Sequence, residues 1–119
     1  MKVARRGVIA ALALAFAVLS IPALAATPAG LVIYPSIVPG TYHFVSYPTG
    51  WTYSLETTDG ADTVNAWYVA HISGMQLTNH VKNEMGNSYV YDWTNGGRRT
   101  LQIQQQVGEH TQVTLSLTK

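Results

Sequence analysis

Four histidines, His43, His71, His80 and His110, are the residues of this chain whose side chains most readily bind a metal or move a proton near neutral pH. A metal centre needs several such donors to converge. The spacing argues against it, because no His-x-His or His-x-x-x-His pair occurs and no carboxylate stands at a telling offset. Nucleophilic catalysis has less support still. There is no Gly-x-Ser-x-Gly elbow, and Ser116-Leu117-Thr118-Lys119 matches Ser-x-x-Lys only at the end of a strand, without its companion motifs. Gly86, Gly96 and Gly97 are turn residues and not a phosphate cradle. A carboxylate pair for hydrolysis has few residues to draw on, since Asp59 and Asp62 are accounted for by a helix start. The expectation is a protein with no catalytic residue, no metal ligand and no cofactor; the alternative is a small periplasmic hydrolase whose site is assembled from residues distant in sequence.

Neutral hydrogen-bonding chemistry is better represented. Gln102, Gln104 and Gln106 alternate with Leu101, Ile103 and Gln105, so the three amides fall on one side of a strand. The flanking strands bring Thr114 and Ser116 on one hand and Asp92 on the other. Amides and hydroxyls donate and accept at modest desolvation cost, which suits an envelope protein or a peptide, and less well a glycan. Gln102, Gln104, Gln106, Thr114 and Asp92 are therefore the candidate binding residues; a merely solvated sheet face is the plain competing reading. Trp51, Tyr53, Trp67, Tyr68, Tyr89, Tyr91 and Trp93 are assigned to the core, where aromatic rings bury most area. Tyr34, Tyr42 and Tyr47 are left for exposure.

These residues need a scaffold, and hydrophobic periodicity supplies one. Val64, Trp67, Tyr68, His71 and Ile72 recur at helical spacing within Thr58 to Ser73, with Asp59 as N-cap, Asp62 near the positive end and Gly74 as the stop. Asp62, Asn65, Ala66 and Ser73 form the solvated side. Tyr42 to Ser46 and Trp51 to Thr57 read as strands before the helix. Four follow it: Met75 to Glu84, Ser88 to Thr94, Thr100 to Val107 and Thr111 to Thr118, with Asn95-Gly96 the strongest turn signal. Alternation places Met75, Leu77, Val81, Tyr89, Tyr91, Trp93, Leu101, Ile103, Val107, Val113, Leu115 and Leu117 on one face, and His80 and Lys82 with the glutamines on the other. The fold class is α+β: one amphipathic helix packed on one face of an antiparallel sheet of five or six strands, ending in a four-strand meander.

Lys2, Arg5 and Arg6 precede an apolar run from Val8 to Leu19, then Pro22 and Ala23-Leu24-Ala25, the pattern of a cleavable secretory signal over residues 1–25. Residues 26–30 make a short tether and 31–119 a single domain. Without the leader the chain keeps Lys82, Arg98, Arg99 and Lys119 against Glu56, Asp59, Asp62, Glu84, Asp92 and Glu109, a balance of −2. This mild acidity disfavours nucleic acid and anionic membrane as partners, and the leader's short run disfavours membrane insertion. With no cysteine there is neither a disulfide nor a thiolate metal site. The expected location is periplasmic or secreted.

Tyr34-Pro35, Leu55-Glu56-Thr57-Thr58-Asp59 leading into the helix, Val64 with Trp67-Tyr68 inside it, Gly97-Arg98 in a hairpin and a closing Thr-Gln-Val-Thr-Leu strand form a series over residues 34–118. It resembles a broad group of small exported bacterial domains of unknown function, secreted or lipid-anchored. The chain departs from that pattern with Gly74-Met75 in place of a Gly-Trp pair and with no anchor cysteine. The resemblance implies an exported α+β domain and carries over no catalytic residue. The expectation for function is a non-catalytic binding or assembly module of the bacterial envelope.

Overall fold

Period-two alternation from Trp51 onward, broken by turn residues and by one helical stretch, builds a six-stranded antiparallel sheet and one helix. The computed structural model describes residues 31–119. Its order is β1 (His43–Tyr47), β2 (Gly50–Thr57), α1 (Ala61–His71), β3 (Gln76–Asn83), β4 (Gly86–Thr94), β5 (Arg98–Gln106) and β6 (Thr111–Thr118). The signal sequence and tether read at residues 1–30 lie outside the described residues. Val32–Lys119 forms one unit.

The spatial order is β1-β2-β6-β5-β4-β3, every neighbouring pair antiparallel. β3 to β6 are the expected meander. β2 pairs with the last strand, in the register Tyr53↔Leu115 and Leu55↔Val113, so the chain closes back on its beginning. Close approach at that junction requires Gly50: a Cβ there would stand 1.8 Å from the Leu117 carbonyl oxygen.

One face collects Tyr53, Leu55, Tyr89, Tyr91, Trp93, Leu101, Ile103, Val113, Leu115 and Leu117, all buried, together with Ala61, Val64 and Tyr68 of the helix. Each fully buried aliphatic side chain contributes about 1.5–3 kcal/mol relative to exposure. Polar contacts fix the helix on this face. Tyr89 donates to Asp62 and Tyr91 donates to Asn65 at 2.6 Å. Residues three apart on the helix thus meet residues two apart on the strand. Farther along, the Tyr68 and Tyr53 hydroxyls are 2.7 Å apart.

Several expectations change. The helix begins at Ala61 after Gly60, which makes no side-chain cap. Asp59 instead accepts from the Tyr34 hydroxyl, and the Gln105 side-chain oxygen accepts from the Ala61 N–H at 3.0 Å, doing the capping from β5. The helix ends at His71 with extended Ile72, two residues before Gly74. Asn65 and Asp62 are not merely solvated, since each holds a tyrosine hydroxyl. Tyr34 and Tyr42 are buried, at 4% and 7% exposure, and only Tyr47 of the three expected outside is exposed. Tyr34 is enclosed by aromatic neighbours, its ring edge-on to Trp67 and stacked with Tyr68.

The face assignment fails on β3. Leu77 pairs with Tyr91, but a register shift between Leu77 and Asn79 leaves Thr78 as an extra residue, so that His80 pairs with Tyr89 and Val81 with Ser88. Beyond the bulge His80 and Lys82 turn to the helix side, and Val81 turns to the other. His80 stacks on Tyr89 at 4.1 Å, and Lys82 reaches Asp62 at 2.8 Å. Every β3 residue is exposed, Leu77 and Val81 included, because this is the sheet's edge.

Candidate binding face

The side of the sheet away from α1 is built from the even-numbered positions of β5 and β6 and their partners. Strand register converts three sequence patterns into one surface. Asp92, Thr100, Ser116 and Thr52 line up across four strands; Val90, Gln102, Thr114, Ser54 and His43 form the next row; Ser88, Gln104, Gln112 and Glu56 form the third. Gln106 pairs with Gly86 at the end of the same strand. Gln102, Gln104, Gln106, Thr114 and Asp92 therefore all lie on one face. Gln102, Gln104 and Gln106 are exposed; Thr114 and Asp92 are half-buried.

Their hydrogen bonds divide them. Asp92 is engaged, accepting from Thr100 Oγ1 at 2.8 Å and from an Arg98 guanidinium nitrogen at 3.3 Å, so its charge is matched within the sheet. Thr52 and Ser116 share a bond of 3.1 Å. The side chains of Gln102, Gln104, Gln106 and Thr114 make no hydrogen bond among the described residues. Gln105, on the opposite side of the strand, uses both ends of its amide: its oxygen caps α1 and its nitrogen donates to the Glu109 carbonyl at 3.1 Å. Adjacent glutamines of one strand thus differ, one bonded within the fold and three without a hydrogen bond among the described residues.

Sequence reasoning missed what borders this face. Glu56, opposite Gln112, accepts from or pairs with His110 Nδ1 at 3.2 Å. A shallow depression of about 330 Å³ next to it is lined by His43, Ser54, Glu56, Gln112 and Thr114 among others. His43 and Ser54 are cross-strand partners. Nothing short-range in the sequence brings His43, Ser54 and Glu56 together; the hairpin register does. No hydrogen bond among the described residues joins Ser54 to His43.

The remaining histidines go elsewhere, with His71 stacked on Trp67 at 4.0 Å and His80 on Tyr89. Among the described residues no group of three or more histidines and carboxylates could hold a metal ion, and no helix is long and apolar enough to cross a membrane. On the helix side Asp62 takes three donors, from Lys82, Tyr89 and Asn87, in that order of effect, and its carboxyl is held well below the usual carboxylate range. These contacts pin the helix.

No family model, curated protein or solved structure matches the chain.

Proposed function

We propose that this protein is an exported, non-catalytic binding or assembly module of the bacterial envelope whose ligand surface is the sheet face opposite the helix. One observation carries the proposal: Gln102, Gln104, Gln106 and Thr114 stand together on one face with their side chains free of hydrogen bonds among the described residues, while the neighbouring Gln105 and Asp92 are bonded within the fold. Peptide groups of an envelope protein or an extended peptide match such amides and hydroxyls; a glycan is the second choice. Because the open groups are neutral, association would depend little on salt and be steered weakly. The leader pattern in residues 1–25 and the resemblance to small exported domains support a periplasmic or secreted location.

The test is capture from envelope extract followed by titration of the recovered partner. Replacing Gln102, Gln104 and Gln106 together by lysine should leave the fold intact and weaken that partner severely. Unchanged affinity would eliminate the face as the site.

A second reading, a small hydrolase, rests on His43, Ser54 and Glu56 sharing one depression. Turnover of an ester or peptide panel that disappears in both Ser54→Ala and His43→Ala would establish it and displace the first reading.

A further inference from the structure

We propose that Asn95 is a site of spontaneous deamidation, in which the Gly96 peptide nitrogen closes a succinimide that water then opens to aspartate or isoaspartate. The Asn95-Gly96-Gly97 loop joins β4 to β5 beyond the pair Thr94↔Arg98. Asn95 and Gly96 are both exposed. In the reaction the Gly96 nitrogen loses its proton and attacks Asn95 Cγ; a C–N bond forms and ammonia leaves. Water then adds to either ring carbonyl, giving a normal aspartyl link or one routed through the former side chain.

Three features favour attack here. Glycine presents no side chain at the nucleophilic residue, and apart from its chain neighbours nothing lies within 4 Å of where a Cβ on Gly96 would stand, so no other part of the fold crowds it. The Gly96 N–H makes no hydrogen bond among the described residues, whereas the Asn95 N–H bonds the Gly97 carbonyl at 2.9 Å. The Asn95 side chain is likewise unbound.

Each of the other asparagines lacks at least one of these features. Asn65 accepts from Tyr91 and is followed by helical Ala66. Asn83 accepts from the Met85 and Gly86 amides, and Asn87 donates to Asp62. Asn79 lies within β3 and precedes a histidine. Asn95 alone joins a free amide to a free, unhindered neighbour.

The products would alter the hairpin in distinct ways. Aspartate adds a negative charge close in sequence to Arg98 and Arg99. Isoaspartate also inserts a methylene into the main chain and displaces the Asn95 carbonyl, which now accepts from Arg99 Nε at 2.8 Å. Arg99 lies over the Trp51 ring, 5.6 Å from its centroid, so loosening it would reach β2.

The experiment incubates the full chain in warm, mildly alkaline buffer prepared with oxygen-18 water. It follows charge variants by ion exchange and locates the change by fragmenting the tryptic peptide 83–98, which holds Asn83, Asn87 and Asn95. An acidic variant with label at position 95 is expected, and it should be lost in Asn95→Gln, whose longer side chain closes its ring slowly. Gly96→Ala should retard it, and circular dichroism of both variants verifies the fold. Asn95 intact in the folded chain but reactive in urea would mean that the hairpin protects it, and equal label at Asn83 or Asn87 would mean that the loop has no special reactivity; either result overturns the proposal.

Discussion

Removing one buried hydroxyl tests the hydrogen-bond chain that joins the helix, the sheet and the segment preceding β1. The Tyr53 hydroxyl donates to the Val32 carbonyl at 2.7 Å, so its single proton is spent. The 2.7 Å contact between Tyr53 and Tyr68 must then use the Tyr68 proton, and the Tyr68 oxygen accepts from the Tyr34 N–H at 3.3 Å. The order is Tyr34 N–H to Tyr68 to Tyr53 to the Val32 carbonyl, with both rings fully buried. Tyr68→Phe orphans the Tyr34 N–H and should cost about 1–3 kcal/mol. Tyr53→Phe strands the Tyr68 proton and should cost a similar amount, about 1–3 kcal/mol. Both variants lose the shared bond, so the double variant should fall short of the sum of the two by about 0.5–3 kcal/mol in urea melts. Burial, ahead of every other cause, pushes Tyr68 up to about 12 and raises Tyr53 further. Both folded values exceed the ordinary value of about 10, so the stabilisation is complete below that pH and is lost as pH rises from there through the folded values. Effects below about 0.5 kcal/mol, or strict additivity, would refute the chain.

Four further outcomes follow from other contacts. Gln105→Ala should destabilise the domain by about 1 kcal/mol by uncapping α1, read in the same melts, with Gln104→Ala as a near-silent control. Trp67→Ala should cost less than the about 3–5 kcal/mol of a fully buried aromatic, because Trp67 is only half-buried, and a full-sized loss would mean that its edge-on contacts with Tyr34 and Tyr68 have been undervalued. Asn65→Ala should cost about 1–3 kcal/mol by leaving the Tyr91 hydroxyl without its acceptor, whereas a silent change would show that water replaces it. Asp62 has a folded value below its unfolded one, so its contribution is present above the ordinary carboxylate range and is lost as pH falls through the lowered value; Asp62→Asn should flatten that acid limb. Since Asp62 and Lys82 are both more than half exposed, the difference should stay within about 1 kcal/mol.

The meander was legible because each of its signals was local. Alternation in Tyr89-Val90-Tyr91-Asp92-Trp93 and in Leu101 to Gln106 fixes which side is buried, and turn residues at Asn95-Gly96 and Gly108 divide the strands. The helix stripe was legible for the same reason, although its ends were not. Asp59 looked like an N-cap because it precedes the helix in sequence; Gln105, forty-four residues from Ala61, was already held in place by its strand and had an oxygen aimed at the open amide. For Tyr34 and Tyr42 the irregular, proline-containing surroundings point to exposure, and the fold buries both. What decides their burial is the Trp67–Tyr68 edge of the helix and the Tyr53 ring, neither of which is near in sequence.

β3 shows why a surface can be half legible. One extra residue at Thr78 reverses every later side chain of an eight-residue strand, and period-two reading has no means of detecting it. At a central strand such a slip would bury Lys82 and expose a core residue, at a cost of several kcal/mol. At the edge the cost is small, because Leu77 and Val81 are about half exposed and Lys82 gains Asp62. The glutamine face escapes this ambiguity. Gln102 and Gln104 lie between strands paired on both sides in unbroken register from Thr94↔Arg98 to Gly86↔Gln106 and from Arg98↔Thr118 to Gln105↔Thr111. A slip of either strand would drive Leu101 and Ile103 into solvent. The same burial that stabilises the core therefore holds the backbone of the glutamines on the far side in fixed rows, and a ligand meeting that face would have only their side chains left to order.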